Sequence, residues 1–523
     1  MTKLGAAAAS AALCAVLAGC GEGGGKGTVV TPAPTPTLDV TLSASSQTMT
    51  VGEDLAGTLG FDATVAGTSG EPIVADVQYD HGALVLDGVT KGADGKYQVR
   101  LHPASALALG DYSGTITFRL CREAGCATVY PGSAKTFTYQ LTVQLADWTT
   151  FQRNASHNGF INASFQPSDF QKAWEWTQPG TTNVSTVASQ SGLTYFTTRD
   201  ADGTSSVRAV ASATGAQTWS YSLGQVYSSS APAIGNGRLF VTTMVSSSDE
   251  NAIVAIDPKT GQYAGPNALF SSQWSNFLAP TPFEDGLYMS AGYYGNVVYG
   301  YDYSSLTYWS NEVQGYMWDG QTPAVDAQYV YYYSGAGIEV IDRKTGAIQK
   351  RMVDPFFQRD FYDYYGAPIL GTKGNVVAYS GTRDAGSPSV LVNWSMATGA
   401  YAWRSAESYT TTPAVGGGFV YLARNDPGRL DALSEDSGVV QWSWTPPSGE
   451  RFLGNTIASR NLVFVATDKA VYAIPTEGSS HAPVWSAPTG GAEIAITAEG
   501  VLVMVKAPEQ YYNPTTLVAY RLK

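Results

Sequence analysis

A four-residue motif returns at a fixed spacing down the C-terminal two thirds of the chain. It reads Ala231-Pro232-Ala233-Ile234, Thr322-Pro323-Ala324-Val325, Ala367-Pro368-Ile369-Leu370 and Thr412-Pro413-Ala414-Val415. A Gly-rich or polar turn follows each copy, then an apolar run such as Leu239-Phe240-Val241 or Phe419-Val420-Tyr421-Leu422. A third run ends in Thr214-Gly215, Thr260-Gly261, Thr345-Gly346, Thr398-Gly399 or Ser437-Gly438, and Trp219, Trp403 and Trp442 lie a few residues beyond such turns. Repeats of this size build solenoids, propellers or arrays, because one unit cannot bury its own apolar face. Short runs rich in Val, Ile, Tyr, Phe and Thr, broken by Gly and Pro, are strands rather than helices.

Pro323, Pro368 and Pro413 are 45 residues apart, and Pro280-Thr281-Pro282 fills the longer gap before Pro323. Weaker copies begin near Val187, Thr456 and Ala495, giving eight in all. The tryptophans Trp174, Trp219, Trp309, Trp403, Trp442 and Trp485 occupy six of eight equivalent places, with Ala264 and Lys350 near the other two. Four short strands per unit is the make-up of a propeller blade. The last unit lacks a fourth strand, and Ala173-Trp174-Glu175-Trp176, ahead of the first unit, can supply it. Pairing the two ends would remove an exposed edge.

These features resemble the pyrroloquinoline-quinone-like (PQQ-like) β-propeller repeat family, which includes quinoprotein alcohol dehydrogenases and the propeller lipoprotein of the outer-membrane barrel-assembly machinery. The residues that carry the resemblance are Ala255-Ile256-Asp257-Pro258-Lys259-Thr260-Gly261, Val340-Ile341-Asp342-Arg343-Lys344-Thr345-Gly346, the docking Trp, and the lead-in from Trp148 to Phe160. The expected fold class is all-β: an eight-bladed β-propeller over residues 147–523, preceded by an immunoglobulin-like β-sandwich over 38–145. The sandwich reading rests on seven short runs: Leu38–Leu42, Leu59–Val65, Ile73–Val77, Leu84–Leu86, Tyr97–Leu101, Gly114–Leu120 and Thr136–Val143.

Residues 1–19 read as a lipoprotein signal peptide. Lys3 precedes an apolar stretch that ends in Leu17-Ala18-Gly19-Cys20, which resembles a bacterial lipobox with Cys20 as the lipidation site. Residues 20–37, with their glycines and Pro32, Pro34 and Pro36, read as a flexible tether. Gly21 after the cysteine resembles outer-membrane sorting. The expected location is therefore the bacterial cell envelope, lipid-anchored, at the outer membrane on its periplasmic or surface face. Cys121 and Cys126 remain after processing, and an oxidising compartment pairs them, at a hairpin tip between Ile116–Leu120 and Ala127–Tyr130.

The chain carries a net charge of −13 and no Lys/Arg cluster, which argues against nucleic-acid binding and docking on anionic lipid. No nucleophile elbow, zinc-hydrolase motif or phosphate loop is present, and no carboxylate pair stands out as acid and base. The four histidines, His81, His102, His157 and His481, lack ligand spacing and are expected at the surface or in turns. Catalytic, metal and cofactor-binding residues are accordingly assigned to none. The aromatic content of four connections is higher than solvated loops need: Ser272–Phe277, Ser290–Tyr294, Gly315–Trp318 and Pro355–Tyr365. Trp274, Tyr316, Trp318, Phe356, Phe357, Tyr362 and Tyr365 are the candidate ligand-binding residues, because exposed aromatic patches mark binding surfaces.

The functional expectation is a non-enzymatic scaffold lipoprotein of the envelope, binding a protein or a polysaccharide and touching the membrane through its anchor only, with a role in outer-membrane or cell-surface assembly. Two alternatives compete. One is a quinone- or metal-dependent dehydrogenase, for which only Asp249-Glu250 and Asp360/Asp363 offer loop carboxylates. The other is a carbohydrate-binding or adhesion protein.

Overall fold

The computed structural model describes residues 38–105, 107–245, 251–272, 279–291, 297–313, 322–357, 367–381, 388–506 and 514–523. Within them the protein is all-β, apart from one turn of 3-10 helix at Pro167–Asp169. Cys20 lies outside the described residues.

Residues 38–145 form two four-stranded sheets around one core. One sheet is ordered Asp39–Leu42, Leu59–Ala66, Tyr97–Pro103, Leu84–Lys91, and the other Ser46–Gly52, Lys135–Gln144, Gly110–Cys121, Val74–Gln78. Strict alternation puts Phe61, Tyr97, Phe118 and Phe137 between the sheets, with Phe61 and Phe137 centroids 4.7 Å apart. The eighth strand, Ser46–Gly52, is not among the seven runs read from sequence. Its outward positions are Ser, Thr and Gly and only Met49 and Val51 are apolar, so its signal is weak; it is fixed by parallel pairing with Lys135–Gln144. The expected hairpin tip forms over a short stretch: around the antiparallel bridge of Cys121 with Val129, Tyr130 N–H donates to the Leu120 carbonyl (2.9 Å) and Arg122 N–H to the Thr128 carbonyl (3.0 Å). The rest of Gly110–Cys121 pairs with Lys135–Gln144. Cys121 and Cys126 are joined across this short loop, with Cα atoms 5.0 Å apart.

Among the described residues the remaining chain forms eight sheets of four or five strands, antiparallel except where Phe160–Ile161 pairs parallel with Phe452–Ser459. Each begins at a copy of the repeat, for example Ala324–Val325, Tyr329–Tyr333, Gly337–Asp342, Ile348–Val353. The second and third strands are buried almost throughout, as in Val330, Tyr331, Tyr332, Tyr333, Ile338, Val340 and Ile341, because neighbouring sheets cover both faces. Fourth strands alternate, since one face meets solvent. The last sheet, Gly491–Ile496, Val501–Lys506, Thr516–Arg521, takes its fourth strand from Gln171–Thr177, paired antiparallel with Trp174 opposite Ala519.

The Trp series joins one sheet to the next. Trp174, Trp219 and Trp309 lie over Gly215, Gly261 and Gly346 of the following turn, where an added Cβ would sit 2.7, 2.5 and 2.6 Å from the ring. Each indole N–H donates to a carbonyl of that turn: Trp174 to Ser212 (2.8 Å), Trp219 to Pro258 (3.0 Å), Trp309 to Arg343 (3.0 Å). Trp403 does the same on Gly438 and Glu435. Where the fifth sheet's turn expects a Trp, Lys350 lays its stem over Gly399 and donates to Met396 (2.8 Å). The turns themselves are held by Asp257 and Asp342, whose carboxylates accept N–H groups at Thr260 and Thr345.

Candidate functional site

A strand at the start of a sheet leaves its inward N–H groups unpaired, and a buried unpaired N–H is costly. Here the lead-in supplies the acceptors. Ser189 donates to the Trp148 carbonyl (2.7 Å), Ile234 to Thr149 (2.7 Å), Val325 to Ala155 (2.8 Å), Leu370 to Ser156 (2.9 Å), Val415 to Asn158 (2.7 Å) and Ala458 to Gly159 (3.0 Å). Ile234, Val325, Leu370 and Val415 are the fourth residues of the four motif copies. The proline two places earlier has no N–H of its own to satisfy.

Side chains of the same segment complete the lining. The Thr150 hydroxyl donates to the Pro280 carbonyl (2.7 Å). The Gln152 amide donates to Pro413 (2.8 Å) and Thr456 (3.2 Å) and accepts from Asn455 (2.6 Å). Seven of the eight sheets are thus tied to residues 148–159. The segment is tightly wound: Gln152, Arg153 and His157 all have positive φ, at 46°, 85° and 57°. Non-glycine residues hold that conformation only where their surroundings over-determine it.

His157 is 0% exposed, which corrects its expected place at the surface or in an open turn. Its Nδ1 lies 3.0 Å from the Pro368 carbonyl, which can only accept, so Nδ1 carries the proton; Nε2 lies 3.1 Å from the Thr281 hydroxyl oxygen, whose own proton goes to the Pro323 carbonyl at 2.7 Å. Burial pushes the imidazole down to about 4 despite the Pro368 hydrogen bond. Sequence spacing could not find this role, because both partners lie more than a hundred residues away. The other histidines stay near the surface, with His481 stacked on Trp442 at 4.1 Å.

Arg153 ties this centre to the N-terminal sheets. Its guanidinium pairs with Glu53 and donates to the Phe160 carbonyl. Glu53 also accepts from the Ala146 N–H (2.6 Å), and its own carbonyl accepts from Asn162 (3.2 Å). Both side chains are buried, and desolvation pulls the Arg153 guanidinium down to about 10.

Beside the lead-in lies a cavity of about 260 Å3, at the ends where the first strands enter. Trp148, Thr150, Phe151 and Gln152 face Ser185–Val187, Ser229, Pro232, Ala279, Asn455 and Glu493. Glu493 is half-buried, and burial pushes its carboxyl up to about 7. No motif marked this residue in the sequence.

Of the aromatic candidates, Trp274, Tyr316, Trp318, Tyr362 and Tyr365 lie outside the described residues, as do Asp249, Glu250, Asp360 and Asp363. Phe356 and Phe357 are half-buried at the end of the fourth sheet. Phe356 packs edge-on against Tyr401 (5.1 Å) with the Arg404 guanidinium over its ring (4.8 Å). It therefore spans two adjacent sheets.

The repeated four-strand sheets, the docking tryptophans and the threaded lead-in define a β-propeller. A family model described as outer membrane protein assembly factor BamB matches residues 171–352 and 365–519. The chain belongs to this PQQ-like β-propeller family. Among solved structures it is similar to BamB from Moraxella catarrhalis at 18% identity and TM-score 0.49, over 67% of this chain and 99% of that one. A protein of unknown function from Bacteroides caccae matches at 10% identity and TM-score 0.28, over 55% and 89%. A glutaminyl cyclase from Myxococcus xanthus matches at 11% identity and TM-score 0.22, over 40% and 90%. No curated protein matches the chain.

The quinone that other members of the superfamily carry can be tested against the cavity. Pyrroloquinoline quinone bears three carboxylates, which need cationic partners. Among the described residues the lining holds no Lys, Arg or His and contributes its own carboxylate, Glu493. The residues present do not fit that cofactor.

Proposed function

We propose that this protein is a non-enzymatic scaffold of the bacterial envelope whose propeller presents loops to a protein partner. The observation that carries the reading is the lead-in: it occupies the ends of the first strands in seven sheets, so the place where a propeller would hold a cofactor is committed to structure. Family membership supports an envelope protein with protein partners. In this reading the eight sheets are blades of a ring closed by Gln171–Thr177, and the 38–145 unit is an immunoglobulin-like spacer. Cys20 carries the lipid, residues 20–37 are the tether, and the Cys121–Cys126 crosslink reflects an oxidising compartment.

The contact surface is the aromatic loop set of Trp274, Tyr316, Trp318, Phe356, Phe357, Tyr362 and Tyr365. A photo-crosslinking residue placed at Phe357 in cells should trap an envelope protein, and the Trp318→Ala/Phe357→Ala double variant should lose the adduct while melting close to wild type. No adduct at Phe357, or a large loss of stability in the double variant, would remove the surface reading. Cys20→Ser should abolish incorporation of labelled palmitate; incorporation in that variant would remove the anchor.

A further inference from the structure

The cavity beside the lead-in has a chemical bias that the scaffold reading does not use. Four of its polar side chains are already paired. Thr150 donates to Pro280, Ser185 to Thr186 (2.7 Å), Gln152 to Pro413 and Thr456, and Asn455 to Gln152 and Ile494 (3.0 Å). The lining also contains a carboxylate, Glu493, with no cation among the described residues around it. The neighbours of Glu493 are uncharged: Phe151, Gln152 and Asn455 share the cavity, Val505 lies opposite it in the sheet, and Gly454 approaches its backbone. His157, behind the Phe151 ring at 5.2 Å, is neutral.

We propose that this cavity is a receptor for a single organic ammonium or guanidinium group, held by Glu493 against the Phe151 ring. A half-buried carboxylate without a countercharge is stabilised by a paired cation that also donates hydrogen bonds to it. An aromatic face adds attraction for the same charge. One carboxylate offers a small metal ion too few anionic ligands, and the space exceeds what a bare ion fills. The chemistry could come from a Lys or Arg side chain of a partner or from a free amine. The inference stands whether or not the outer loops capture a protein.

The test is a titration of the full chain, followed by calorimetry, with n-butylammonium, with a capped Ala-Lys-Ala peptide, and with the uncharged capped Ala-norleucine-Ala. Saturable binding of the two cations, with the uncharged peptide at least tenfold weaker, is expected. Tighter binding of the lysine peptide than of butylammonium assigns the site to a partner's side chain, and the reverse assigns it to a free amine. Glu493→Gln should weaken both cations at least tenfold, whereas Glu493→Asp, which keeps the charge, should retain binding; the Asp variant covers the case in which the Gln variant misfolds. Affinity for either cation should drop about tenfold from pH 8 to pH 6 as a proton competes for a carboxyl held near 7. Equal affinity for the uncharged peptide, unchanged binding by the Gln variant, or Glu493-dependent binding of calcium would overturn the assignment.

Discussion

His157 shows how much one side chain can be asked to do in this protein. It is neutral and buried, and it bridges Pro368 and Thr281 on two different sheets. Its depressed pKa gives a signed prediction. Below an unfolded value near 6.5 the unfolded chain takes up a proton that the folded chain refuses, so this contribution is present above pH 6.5 and is lost as pH falls toward 4. The expected size is about 3 kcal/mol. Glu493 acts in the opposite direction, because a raised carboxyl pKa favours the fold at low pH and loses that advantage as pH rises through about 7. The two must be separated by difference. The gap in unfolding free energy between wild type and His157→Gln, from urea titrations, should shrink by about 3 kcal/mol between pH 7.5 and pH 4. A gap that stays constant would show that His157 is protonated in the folded state. The docking glycines give a second test at this scale. Gly346→Ala adds a Cβ 2.6 Å from the Trp309 ring at a φ of 73°, so a loss of roughly 2–4 kcal/mol is expected, from left-handed strain and overpacking together. Gly374→Ala, at a φ of 68° with open space around it, should lose only the strain part, about 1 kcal/mol. Equal losses in the two variants would show that the ring contact contributes nothing.

At the scale of elements, the lead-in is held at both of its sides. First strands of the sheets contribute N–H groups on one side, and Glu53 of the N-terminal unit reaches it on the other. Removing one partner of a buried pair strands the other as an uncompensated charge, at about 3–5 kcal/mol. Glu53→Ala should therefore destabilise by that order, and Glu53→Ala/Arg153→Met should recover much of the loss, since the isolated guanidinium is gone. Thermal melts of the two variants and of wild type, at one pH, decide this; a double variant no better than the single would mean that the pair is not the source of the penalty. The Trp series at this scale was legible in the sequence, down to the gap at Lys350. That Lys350 fills the gap was not, because a long alkyl stem ending in a donor reproduces the shape and the hydrogen bond of an indole only once the neighbouring turn is in place.

For the whole molecule, the pairing of Gln171–Thr177 with Thr516–Arg521 joins segments about 340 residues apart in sequence. Deleting residues 147–177 would expose the edge of the last sheet and leave the first-strand N–H groups without their acceptors. The expected outcome is aggregation on expression or loss of cooperative melting; a soluble monomer with a single sharp transition would show that neither closure nor lead-in is needed. What the sequence determined by itself was the part governed by local pattern. Alternating and all-apolar runs, turn glycines and prolines at a constant spacing specify strands and the repeated sheet unit they build, because each is a short-range consequence of backbone sterics and burial. Tertiary structure alone decided the rest. It placed His157 at the centre rather than at the surface. It also turned a polar lead-in into the acceptor for six backbone N–H groups and created the cavity whose partial burial raises the Glu493 carboxyl. Each depends on residues hundreds of positions apart, and desolvation, which sets their chemistry, exists only after the sheets have assembled around them.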